Sequence, residues 1–167
     1  MASKTPGQKK WTDLQLPDIR TLDKTHRRDP LEEVEAAETI EAAIEIVEFH
    51  LGFSKSLTSQ VCIETPIGKI NVQKEKIFHI VEKRKEARER YVLYAIDTLL
   101  NPYEVWKVQY DNNTLRLTYI GAYKTKNQMS VTVDIREEHI LWNFMHCEAK
   151  ALNRHRNGEL IYVAHRD

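Results

Sequence analysis

An α+β fold, with N-terminal helices followed by a four- to five-stranded antiparallel meander sheet, is what three features of the sequence predict. Apolar residues recur at helical spacing before residue 100, the period drops to two from residue 104 onward, and the alternating stretches are separated by short loops. The 167 residues suit one compact domain. The expected layout is a basic N-terminal arm over 1–28 and a single domain over 29–167, built from an acidic helix 29–51, helices within 73–100 and a sheet over 104–164.

Residues 1–28 carry seven Lys and Arg against three Asp with neither a helical nor a strand period, which reads as an arm draped on the surface or partly disordered. Asp29-Pro30-Leu31-Glu32 has the capping residue, the first-turn proline and the acidic spacing of a helix start, and Gly52 is its stop. Within it Ile40, Ile44, Val47 and Leu51 form one apolar stripe. Val61 to Val72 alternates on both sides of Thr65-Pro66-Ile67-Gly68, the pattern of a hairpin. Gln73 to Lys85 returns to helical spacing through Ile77, Ile80 and Val81, with His79 and Lys83 on the opposite side. Glu86 to Leu100 reads as a second helix, stopped by Asn101-Pro102. Strands are expected at 104–110, 115–123, 129–136 and 140–145, then a turn or two of helix within 147–155 and a last strand at 159–164.

The 25 basic and 25 acidic residues cancel. Net charge therefore gives no electrostatic reason for a nucleic-acid or membrane partner, and the distribution has to be read instead. Asp29 to Leu51 holds one Asp, seven Glu and no Lys or Arg, a net of −8, while 52–167 sums to +4. An acidic element of that kind is expected to lie near a basic groove and to lower its affinity for RNA. No apolar run approaches the roughly 18 residues of a membrane span and the N-terminus has no signal-like stretch, so a cytoplasmic protein without a membrane partner is expected. Cys62 and Cys147 lie 85 positions apart and form no CxxC pair, so reduced thiols are the default.

Among chemistry-bearing residues, His79 stands on the polar side of its helix, flanked by basic residues, where an imidazole can meet a ligand and titrate near neutrality; a surface helix can also carry such a residue without function. Lys83-Arg84-Lys85-Glu86-Ala87-Arg88-Glu89-Arg90 suits phosphate binding, or forms a solvated face paired through its own glutamates. Tyr119 with Tyr123, and Lys107 with Gln109, share strand faces that could stack and neutralise unpaired nucleotides, or cover a core edge. In Trp142-Asn143 alternation places Asn143 outward if Trp142 points inward. His139, His146, His155 and His165 lack metal-ligand spacing, and there is no Gly-rich phosphate loop or GxSxG, which argues against metal, ATP-dependent and serine-hydrolase chemistry.

Several strings follow one another in a familiar order: Glu64-Thr65-Pro66-Ile67-Gly68-Lys69, His79-Ile80-Val81-Glu82-Lys83-Arg84, Arg88-Glu89-Arg90-Tyr91, Asn101-Pro102-Tyr103-Glu104-Val105-Trp106, Tyr119-Ile120-Gly121, Leu141-Trp142-Asn143-Phe144-Met145 and Gly158-Glu159-Leu160-Ile161-Tyr162. In them the chain resembles the phage-type branch of the barnase, EndoU, colicin and RelE-like nuclease superfamily, over about residues 11–163. The resemblance implies two helices before a four-stranded antiparallel sheet. It also implies a metal-independent endoribonuclease, without cofactor, that cleaves single-stranded or loop RNA by attack of the 2′-hydroxyl on its own phosphate. His79 would be general base or acid; Arg84, Arg88 and Arg90 would hold phosphate; Tyr119 would give a hydroxyl or stacking surface and Asn143 a contact to phosphate or base; Lys83, Lys107 and Trp142 would bind substrate. The implied partners are RNA, tRNA among the candidates, and an immunity protein or phage head protein. The alternative is a catalytically silent module that binds nucleic acid or a phage head protein through the same groove.

Overall fold

The structure is a computed structural model that describes residues 2–53 and 59–164; His165 and the expected C-terminal limit of the domain lie outside the described residues. Helices α1 (Ile40–Leu51), α2 (Ile77–Val81), α3 (Val92–Leu100) and α4 (Ala149–Asn153) accompany seven strands. These are β1 (Gln60–Thr65), β2 (Gly68–Gln73), β3 (Glu104–Gln109), β4 (Leu115–Gly121), β5 (Asn127–Ile135), β6 (His139–Glu148) and β7 (Glu159–Val163). All seven join one sheet in the order β1-β2-β6-β5-β4-β3-β7, curled into a half-barrel.

The α+β class holds, but the sheet is mixed and larger than a four- to five-stranded meander. Strands β3 to β6 do form the expected antiparallel run. The hairpin β1–β2 adds to it through a short parallel pairing, Asn71 opposite Ile140, and β7 adds to the far edge against β3. Both additions join segments distant in sequence, which local periodicity does not report.

Two apolar layers sandwich the sheet. Val105, Leu117, Tyr119, Val131, Val133, Leu141 and Phe144 face α1, α2 and α3 in the larger core. Trp106, Val108 and Ile120 meet Ile19, Leu22 and Leu152 in the second. The arm runs over the surface and supplies Ile19 and Leu22 to this core. It is tied down at Lys4–Tyr110, Lys10–Asn157 and Arg28–Tyr123 bridges. A buried ion pair lies beneath it: the Arg156 guanidinium donates to both oxygens of Glu104 at 2.6 and 2.7 Å, and Trp106 Nε1 donates to the same carboxylate at 2.9 Å.

The acidic helix starts eleven residues later than expected. Thr39 caps α1 by accepting from the Ala42 N–H, and Gly52, with φ 96°, ends it. Residues 29–38 form no helix, because Pro30 disfavours helical geometry at Asp29 and the backbone then bonds elsewhere. Leu31 exchanges hydrogen bonds with the Tyr94 hydroxyl, Val34 N–H donates to the Arg90 carbonyl, and Ala37 N–H donates to Glu89 Oε2. The stretch 73–100 is likewise not two long helices. It divides into short helical turns at Lys74–Lys76 and Arg88–Tyr91 beside α2 and α3, with Ala87 in the left-handed region at φ 42°.

Candidate active site

The site forms where the turn Arg88–Tyr91 packs beside β6. Strand β2 meets β6 only at Asn71 and Ile140, which leaves the rest of β6 without a strand on that side. A bulge sits at the same place: Val133 faces Leu141 while Thr132 faces Asn143, so Trp142 is the extra residue. Bulges release side chains from strict alternation and often flank functional sites. Trp142 and Asn143 are accordingly both half-buried, and Trp142 does not enter the core that alternation offered it.

Arg88 is buried to 5% exposure, and its Nη1 donates to Asn143 Oδ1 at 2.9 Å. Its Nε is buried without a hydrogen-bond partner. Among the described residues no carboxylate pairs with it. A buried guanidinium compensated only by a neutral amide is costly, and an incoming anion would offset that cost. The strained φ at Ala87, which costs about 1–3 kcal/mol, turns the chain so that Arg88 and Glu89 both point inward.

Three residues beyond Asn143, His146 stacks on Tyr91 with ring centroids 3.9 Å apart. Burial and then the positive charges of Arg88 and Arg90 hold the imidazole below its ordinary pKa, against opposing pulls from Glu86 and Glu33. Its Nδ1 is buried without a partner. Burial also raises the Tyr91 hydroxyl, with Glu33 adding to the effect. Sequence reasoning weighed His146 only as a metal ligand. Its place on the strand that carries Asn143 was the available signal.

Trp142 gathers cations. Lys76 Nζ lies 5.4 Å from the ring centroid, Arg116 5.4 Å and Arg136 5.9 Å, and Arg116 also lies 4.7 Å from the Tyr110 ring. Asp134 anchors both arginines, at 2.7 Å to Arg136 and 3.6 Å to Arg116. An aromatic ring amid cations is suited to a stacked base with a flanking phosphate. Lys76, Arg116 and Arg136 escaped sequence reasoning because they lie on three separate elements.

The remaining expected residues divide. His79 is exposed on α2, with its Nδ1 3.5 Å from Glu82 Oε2. It follows Lys76 by three residues and so lies on the same helical edge as that lysine. Lys83 is exposed in the turn after α2. Arg84 is a structural residue: it binds the fully buried Glu89 at 2.6 Å and donates to the carbonyls of Val81 and Ala37. Arg90 pairs with Glu33 at 3.2 Å, so the acidic stretch touches the basic run by an ion pair from the segment before α1, and α1 itself packs against the Arg88–Tyr91 turn. Tyr119 is fully buried and its hydroxyl shares a hydrogen bond with Thr65 Oγ1 at 2.9 Å, which closes it to substrate. Burial also raises its pKa. Lys107 lies on β3, three strand spacings or about 14 Å from β6, and lines a hollow beside the arm with Gln8 and Glu159 instead.

A protein-family model described as phage-Barnase-EndoU-ColicinE5/D-RelE like nuclease2 matches residues 48–163. The chain belongs to this nuclease family. No curated protein and no solved structure matches it significantly. The nuclease-family match begins near the end of α1 and ends in β7, so it contains Arg88, Asn143, His146 and the Trp142 cluster but not the arm or most of the acidic stretch. Among the described residues, no three His, Cys, Asp or Glu side chains come together as a metal site, and no helix is long and apolar enough to cross a membrane.

Proposed function

We propose that this nuclease-family domain is an endoribonuclease that cleaves single-stranded or loop RNA without a metal ion. The observation that carries the reading is Arg88, a buried cation that among the described residues has no carboxylate partner and donates to Asn143 at the bulge of β6. In the reaction a base removes the proton of a 2′-hydroxyl, whose oxygen attacks the adjacent phosphorus. The bond to the 5′-oxygen breaks, that oxygen takes a proton from an acid, and a 2′,3′-cyclic phosphate remains. Arg88 stabilises the charge that develops on the phosphorane oxygens, and Asn143 holds the guanidinium in place. His146, kept neutral by its surroundings, is suited to accept the first proton. His79 is the exposed group suited to deliver the second. Trp142, with Lys76, Arg116 and Arg136, receives a flanking nucleotide.

RNA, including tRNA, is the substrate class in this reading, with a phage or mobile-element origin and a cytoplasmic site of action; the word phage in the family's description supports the origin. An immunity protein or phage head protein would cover the same face. The catalytically silent module is the second reading, favoured by the occupation of Arg84 and Arg90 by Glu89 and Glu33.

Incubation of the purified protein with total RNA in EDTA, followed by end analysis, separates the two. Expected are 2′,3′-cyclic phosphate ends, intact DNA, and losses of roughly two to four orders of magnitude for His79→Ala and for His146→Ala, the usual worth of a positioned acid or base. A requirement for Mg²⁺ would remove the mechanism. Binding without cleavage would leave the silent module.

A further inference from the structure

A second basic cavity lies away from Arg88, on the face covered by the N-terminal arm. It encloses about 440 Å³ and is lined by Lys10, Trp11, Arg20, Lys150, Arg154 and the buried Arg156, with Asn153 and Asn157 between them. That volume is within the roughly 300–1,000 Å³ of ligand sites. We infer that this cavity is an auxiliary site that binds one nucleotide of a single-stranded nucleic acid while the chain's scissile bond lies at Arg88.

The inference rests on the nuclease reading for its ligand class, and on four observations for its place. First, the charges divide into held and unheld. Asp18 grips Arg20 at 2.8 Å and Glu104 grips Arg156 at 2.6 Å. Among the described residues no carboxylate pairs with Lys10, Lys150 or Arg154, all of which are exposed at the rim. Three unneutralised cations around one hollow attract an anion with several oxygens.

Second, the floor is built. Asn153, itself buried, accepts from Ile19 N–H and Arg156 Nη1 and donates to Asp18. Third, the wall is aromatic. Trp11 is half-buried with Arg156 5.2 Å from its ring centroid, and its backbone N–H donates to the Arg156 carbonyl at 3.0 Å, which fixes the chain at the cavity wall. An indole beside cations suits a base and its phosphate more than a phosphate alone. Fourth, the chain itself runs from the site to the cavity. Asn143 to Glu148 spans about 17 Å of strand, and Lys150 follows directly in α4. Lys10, Trp11 and Arg20 lie outside the family match, so the arm adds to the nuclease domain a site that the matched segment lacks.

The three tryptophans make the test direct. With 5-fluorotryptophan in the full chain, ¹⁹F NMR reports Trp11, Trp106 and Trp142 separately while a non-cleavable 2′-O-methyl decaribonucleotide is added. The inference expects the Trp11 signal to move together with Trp142, with Trp106 unmoved. Fluorescence anisotropy of the labelled oligonucleotide should show binding weakened about tenfold or more by Lys150→Glu with Arg154→Glu. The salt dependence should flatten by the equivalent of about two phosphate contacts, each worth a slope near 0.7 on single strands. The milder Lys150→Gln with Arg154→Gln should fall between, which guards against a folding defect in the charge reversal.

A shift confined to Trp142 would overturn the auxiliary site and leave the nuclease reading standing. A Trp11 shift in a protein that cleaves no RNA would keep the auxiliary site and remove the catalytic reading. Saturation of the Trp11 shift by inorganic phosphate at the affinity of the oligonucleotide would overturn the assignment to a strand, since a free anion would then suffice.

Discussion

Replacing Arg156 with Met should lower the melting temperature by roughly 6–20 °C. The guanidinium is fully buried and donates to both oxygens of Glu104, to Asn153 Oδ1 at 3.0 Å and to the Pro17 carbonyl at 2.8 Å. Met retains most of the side-chain stem, so the cavity is small and the dominant loss is electrostatic. What remains is a buried Glu104 carboxylate served by the Trp106 indole alone. Removing one partner of a buried pair costs about 3–5 kcal/mol, and for a domain of this size each kcal/mol is worth about 2–4 °C. The same guanidinium anchors the arm by lying over the Trp11 ring and by donating to the Pro17 carbonyl, so limited proteolysis within residues 1–28 should accelerate as well. Scanning calorimetry of Arg156→Met, Glu104→Gln and the double variant forms a thermodynamic cycle. The double variant should be less destabilised than the two singles summed, because it leaves no buried charge unpaired. A fall under 2 °C for Arg156→Met, or strict additivity, would refute the claim that this pair holds the arm to the sheet.

Burial, aided by the charges of Lys4 and Arg154, lowers His155 to about 4 from an ordinary 6.5, so the folded protein keeps it neutral while the unfolded chain takes up a proton. Stability should therefore fall by about 2–3 kcal/mol as pH drops from 6.5 toward 4, and urea titrations of His155→Gln should show a shallower acid slope over that window. Gly158 has φ 112° and a Cβ there would stand 2.2 Å from the Lys107 carbonyl oxygen. Gly158→Ala should cost about 2 kcal/mol or more by parting β3 from β7, and a thermal melt within 1 °C of wild type would contradict this. Glu33→Gln frees Arg90 and should tighten RNA binding a fewfold at low salt but not at high salt, as measured by filter binding; an equal gain at both would exclude an electrostatic cause.

How much of the site was legible depends on what each signal measures. Asn143 and Arg88 were both reached from the sequence, one as a polar residue in mid-strand and one as part of a basic run. Their mutual hydrogen bond was not, since 55 residues separate them. Four cationic or aromatic candidates looked equivalent in the sequence and proved unlike. Arg84 is spent on Glu89, Arg90 on Glu33, Tyr119 lies in the core, and Arg88 alone of these is buried without an acid. Like residues in a run acquire different roles when the chain turns between them, as it does at Ala87.

The sequence by itself determined what depends on neighbours along the chain. It specified the strands β3 to β6 through their two-residue alternation, the β1–β2 hairpin through its turn, and the end of α1 at Gly52. Only the tertiary structure decided what depends on neighbours in space. It converted the helix start at Asp29 into a non-helical stretch because Tyr94, Glu89 and Arg90 took its backbone hydrogen bonds, and it set β2 beside β6. It also made Trp142 a bulge residue ringed by cations from three elements. The physical reason is common to all three: local patterns set the conformation a segment prefers alone, whereas burial and charge pairing are settled by whichever distant groups the closed sheet brings within a few ångströms.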